Sequence, residues 1–181
     1  TYLLKYFDFD RNGELSRYEA SLVVRIDCPG NINAGEGAYM CDATGIEACT
    51  NLRYLNLSGN DLTILDCSNN HKLEVLMANL SQMSELYLDC PELQHLSLEG
   101  NSLSALDLSN CTKLVMLNFS GNNISHMNLQ CPDLDLLKCQ SNNLTTLDVS
   151  ACPKLTVLYC DENQLQELDL TNNKKIEYLR V

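Results

Sequence analysis

The residues best equipped for chemistry lie near the start of the chain, in Asp8-Phe9-Asp10-Arg11-Asn12-Gly13-Glu14-Leu15-Ser16-Arg17-Tyr18-Glu19. Oxygen donors recur at alternate positions and the run ends on a glutamate, following D-x-[DN]-x-[DN]-G-x5-E. A hard cation such as calcium gathers about six to eight oxygens at once, so it needs a loop that turns sharply while its side chains converge. Asp8, Asp10 and Asn12 offer side-chain oxygens, Glu14 a backbone carbonyl and Ser16 a contact through water. Glu19 would supply both carboxylate oxygens, Gly13 would permit the turn, and Leu15 would pack the loop down. One calcium ion is therefore a candidate cofactor, with a role in bracing the N-terminal segment. The same residues also fit an Asn-Gly turn and a capped helix start, with the acids solvated.

Little else points to catalysis. His71, His95 and His126 are far apart in sequence, and no G-x-S-x-G, phosphate-binding loop, H-E-x-x-H or C-x-x-C zinc spacing occurs. No enzyme activity is expected. The triplets Asn56-Leu57-Ser58 and Asn143-Leu144-Thr145 match glycosylation acceptors, but a chain rich in Asn, Leu and Ser makes them by chance. A formal net charge of -12 argues against nucleic acid, whose phosphates need Lys and Arg. No apolar run is long enough for a membrane-spanning helix.

The elements that position these residues come from a repeat. Read every 20 or 21 residues, the frame L-x-x-L-x-[L/C]-x-x-N-x-L-x-x-L-D-[L/V/C] recurs. Units start at Leu52, Leu73, Leu93, Leu114, Leu134, Leu155 and Ile176, at intervals of 21, 20, 21, 20, 21 and 21. A fixed period of this size means a solenoid, each coil touching only its neighbours. An earlier unit begins at Val23, with Ile26, Cys28 and Asn31 in the frame and Ile46 in its second half. Its extra length lies within Asn33 to Gly45, where three glycines and no periodicity read as a loop. Residues 1–22 form a helical cap, and 23–181 the solenoid with its last unit partial.

Alternation in x-x-L-x-L turns the leucines inward and the residues between them outward, on a parallel sheet. The second half alternates too and predicts a short strand on the opposite side. Asn60, Asn101, Asn122, Asn142 and Asn163 follow the first strand, where an amide can donate and accept within the bend. Ser81 replaces the asparagine in the Leu73 unit, beside Leu80 where other units carry Gly, Ser or Glu, so that turn should be the least regular.

Ten cysteines would suggest a disulfide framework, yet their positions do not. Cys49, Cys90, Cys111, Cys131 and Cys152 lie three residues before the next unit, where Asn70 and Asn173 also stand. Cys28, Cys139 and Cys160 share a place filled elsewhere by Leu57, Ala78, Leu98 and Phe119, and Cys67 replaces Leu or Val. Residues that alternate with Leu, Ala and Phe behave as small apolar core groups, so free buried thiols are expected. Cys41 falls outside the register.

Over roughly residues 46–181 this frame resembles the leucine-rich repeat. Short units with internal cysteines are similar to the bacterial surface type that includes the internalins, and residues 8–19 resemble an EF-hand loop. The resemblance implies an α/β-type repeat solenoid: a right-handed coil with a parallel concave sheet, an irregular or short-strand convex side and a short helical N-terminal cap. It also implies an extracellular or cell-surface bacterial protein. A start at Thr1 fits a removed signal or lipoprotein leader, and equally a trimmed chain.

The outward residues form columns. The first reads Tyr54, Val75, His95, Met116, Leu136, Val157, Tyr178; the second holds Met77, Lys138 and Tyr159. These ten are the candidate ligand-binding residues, because an apolar strip facing water marks a contact site. Strand propensity alone would also favour Val, Tyr and Leu there. The expected function is a non-catalytic module binding a protein ligand, or a glycan, through this face. The alternative is a spacer or stalk of a larger surface protein, with no ligand on the sheet.

Overall fold

Leu55, Leu76, Leu96, Leu117, Leu137 and Leu158 stand in one internal row, each fully buried and each the register partner of the next. The computed structural model describes residues 2–30 and 39–181. Around that row runs an eight-stranded parallel sheet. Its strands are β1 (Arg25–Asp27), β2 (Tyr54–Asn56), β4 (Val75–Met77), β6 (His95–Ser97), β7 (Met116–Asn118), β8 (Leu136–Lys138), β9 (Val157–Tyr159) and β10 (Tyr178–Arg180). The period works physically because each coil returns the chain to the same edge one strand spacing further on. A constant length therefore keeps leucine on leucine, and each buried leucine contributes about 2 kcal/mol.

On the opposite side, among the described residues, only β3 (Ile64–Cys67) and β5 (Glu85–Leu88) pair, in parallel, apart from a single bridge between Asn128 and Asp148. The expected strand thus forms in two coils among those described. In these two strands Ile64 and Asp66, and Glu85 and Tyr87, face outward.

Six bends after the main sheet use one residue with positive φ. Gly59, Gly100 and Gly121 take it at 72°, 67° and 64°, and Leu80, Ser141 and Glu162 take it at 52–55°. The Leu80 turn is consequently regular, contrary to the expectation from sequence. Its amide donates to Glu99 O at 2.7 Å, as Gly59 donates to Asn79 O at 2.7 Å. The irregularity there is chemical: the Ser81 hydroxyl is buried with no hydrogen-bond partner. Elsewhere the asparagines tie coils together. Asn122 Nδ2 donates to Leu98 O at 3.0 Å and Phe119 O at 2.9 Å, and its Oδ1 accepts from Leu103 N at 3.0 Å.

The cysteines are free; eight are buried, Cys28 is half-buried and Cys41 is exposed. Burial disfavours the thiolate, raising Cys49 to about 11 and Cys90 to about 12. The N-terminal cap comprises α1 (Tyr2–Phe7) and α2 (Arg17–Ser21), and Phe7, Leu15, Ala20 and Val23 pack onto the core of the first coil. Asn31, assigned by the frame to this coil, lies outside the described residues.

Candidate functional site

The cap loop is organised by Glu19. Ser16 is the N-cap of α2 and forms a capping box with it: Glu19 N donates to Ser16 Oγ, and Ser16 N donates back to Glu19 Oε2 at 2.9 Å. Ser16 Oγ also donates to Oε2 at 2.7 Å, and Phe9 N donates to Oε1 at 2.7 Å. These bonds, led by the one from the Ser16 side chain, hold the Glu19 carboxyl below its ordinary pKa although the residue is buried. The loop before it folds over Asp8. Asn12 N and Gly13 N donate to the two Asp8 oxygens at 3.1 and 2.9 Å, with Arg11 and Gly13 at positive φ.

Oxygens of Asp8, Asp10 and Glu19 come within 4.8 Å of one another. Calcium–oxygen distances are about 2.3–2.6 Å, so one ion could reach all three. The structure brings together these three of the five metal residues read from sequence. Asn12 Oδ1 accepts from the Glu14 amide at 2.7 Å, and Glu14, whose expected ligand atom is its backbone carbonyl, is exposed.

The second candidate is the outer face of the long sheet. Register pairing joins Tyr54, Val75, His95, Met116, Leu136, Val157 and Tyr178 into an unbroken row. Met77, Lys138 and Tyr159 stand in the adjacent row. Met116 and Tyr178 are exposed and the other eight are half-buried, because neighbours in a column cover one another's flanks. Tyr54 Oη lies 3.7 Å from Met77 Sδ.

Two residues outside the ten read from sequence join this face. Arg25 stacks on the Tyr54 ring with its guanidinium carbon 3.5 Å from the centroid, and donates to Asp27 at 2.7 Å. Arg180 lies 5.6 Å from the Tyr159 ring, which has Lys138 Nζ at 5.7 Å on its other side. The signal for Arg25 was its place one before Ile26 in the frame, obscured by the long first unit. The three histidines stay apart: His71 bonds to Asp89 O, His95 is on the sheet face, and His126 is exposed in another coil.

Residues 51–70 match the Leucine Rich Repeat family. No curated protein matches the sequence. Among solved structures the chain is similar to the functional domain of InlJ from Listeria monocytogenes, described as including a cysteine ladder. That likeness has 24% identity and a TM-score of 0.49 over 97% of this chain and 50% of that one. An LRR protein of Leptospira interrogans is similar at 22% identity and a TM-score of 0.55, over 75% of this chain and 44% of that one. YopM from Yersinia enterocolitica is similar at 31% identity and a TM-score of 0.58, over 65% of this chain and 25% of that one. The chain thus spans half or less of the length of each. Eight parallel strands in register and asparagines tying coil to coil give this chain the fold of a leucine-rich-repeat solenoid, and one whole unit of it matches the family of that name.

Proposed function

We propose that this solenoid is a non-catalytic protein-binding module that works at the outer face of its long sheet, in a secreted or cell-surface setting in bacteria. The observation that carries the reading is the unbroken row from Tyr54 to Tyr178. Seven side chains, six of them apolar or aromatic and the seventh His95, face away from the core on one sheet. A strip of that kind gains about 25 cal/mol for each Å² of apolar surface that a partner covers. Leucine-rich-repeat proteins bind proteins, and the bacterial sources of the similar structures support the setting.

The test is capture of partners from the native environment by the wild-type chain and by Tyr54→Ser/Met116→Ser/Leu136→Ser. Loss of a partner at an unchanged melting temperature is the expected result. Equal capture would leave the sheet face without a ligand and favour a spacer.

We further propose that one calcium ion is held by Asp8, Asp10 and Glu19. Three carboxylates beside one another form a hard, anionic donor set suited to this cation. Bound there, it would neutralise their mutual repulsion and fasten the loop between α1 and α2 against the first coil.

A further inference from the structure

We propose that the sheet face around Tyr159 is a docking site for an acidic segment of a protein partner, held between Lys138 and Arg180. This rests on the reading of the sheet face as a protein-binding surface and names the chemistry of what binds there. Lys138, Tyr159 and Arg180 are successive register partners on β8, β9 and β10. Both cations flank the tyrosine ring, at 5.7 and 5.6 Å from its centroid. The chain carries a net charge of -12, so most of its surface repels anions.

The other cation of these rows, Arg25, is neutralised by Asp27 at 2.7 Å. Lys138 has no ion-pair partner among the described residues, and Arg180 has one contact, to Asp161 at 3.4 Å. The cluster therefore keeps a positive excess. Strands about 4.8 Å apart place the two cations about 10 Å apart along the column. That is too far for one carboxylate to bond both directly. It suits an extended segment with carboxylates at alternate residues, about 7 Å apart, one toward each cation. Leu136 and Val157 in the neighbouring row offer apolar contact beside the charges. An anionic glycan would satisfy the cations but leave that contact unused, so the observations favour a protein segment.

Fluorescence anisotropy with a labelled peptide rich in glutamate and leucine tests the site, with the glutamine analogue and heparin as comparison probes. The glutamate peptide should bind the wild-type chain and weaken about tenfold with Lys138→Gln/Arg180→Gln. Lys174→Gln/Lys175→Gln makes the same charge change on the turn before β10 and should shift binding less than about twofold. Equal weakening by both pairs, equal binding of the glutamine analogue, or binding of heparin alone would overturn the proposal. Thermal melts of both variants establish that they are folded. If a native partner is lost with Tyr54→Ser/Met116→Ser/Leu136→Ser yet kept by Lys138→Gln/Arg180→Gln, the acidic site fails while the protein-binding face stands.

Discussion

The side-chain amide of Asn101 donates to the carbonyl oxygen of Ala78, one coil earlier, at 2.8 Å. The same amide donates to Leu98 O in its own coil, and Oδ1 accepts from Met83 N. Each asparagine of this kind saturates backbone groups that a bend leaves buried. Ser81 is too short to do so. Ser81→Asn should therefore stabilise the chain by about 1–2 kcal/mol, by donating to Ala78 O and Leu57 O. Asn122→Ala should destabilise it by about 2–4 kcal/mol, since it removes one of the two asparagine donors to each of the Leu98 and Phe119 carbonyls and leaves the Leu103 amide without its acceptor. Urea midpoints measure both, and a Ser81→Asn variant no more stable than wild type would contradict the account.

Calcium should raise the melting midpoint of the chain, and a chelator should reverse the rise. Glu19→Gln removes one of the three clustered carboxylates and should abolish the response. A midpoint indifferent to calcium in the wild-type chain would leave residues 8–19 as a capped turn with solvated acids.

Phe119 is the largest fully buried side chain, in the inward place held by Ala78 in another coil. Phe119→Ala should cost about 3–5 kcal/mol through lost burial and the cavity left behind. Denaturant titration reads this directly. A cost below about 1 kcal/mol would mean that neighbouring coils collapse into the space.

Alkali should unfold the protein through its thiols. Burial raises Cys49, Cys131 and Cys160 from an ordinary value of 9 to about 11, and Cys90 to about 12. The folded state thus holds these protons more tightly than the unfolded chain. Their contribution to stability is complete below pH 9 and disappears as pH rises through the folded values. Stability measured against pH should fall between about pH 9 and 12. At neutral pH an alkylating reagent should modify exposed Cys41 first, and the eight buried thiols only on unfolding.

The amino-acid order alone determined the coil. A period of 20 or 21 residues with leucines at alternating positions left one way to bury Leu55, Leu76, Leu96, Leu117, Leu137 and Leu158, so the inner row and the outward columns were legible without coordinates. The thiols were legible for the same reason, because Cys139 and Cys160 occupy a place that Leu57 and Phe119 fill elsewhere. Asp8, Asp10 and Glu19 were recognisable from spacing, since their convergence is a property of one short loop. Tertiary structure decided what depends on contacts between coils. Arg25 meets Tyr54, and Lys138 and Arg180 meet Tyr159, only because separate coils stack in register and their rotamers reach across. Leu80 keeps a regular left-handed turn because the adjoining coil supplies the Glu99 carbonyl for its amide, support that no local pattern encodes.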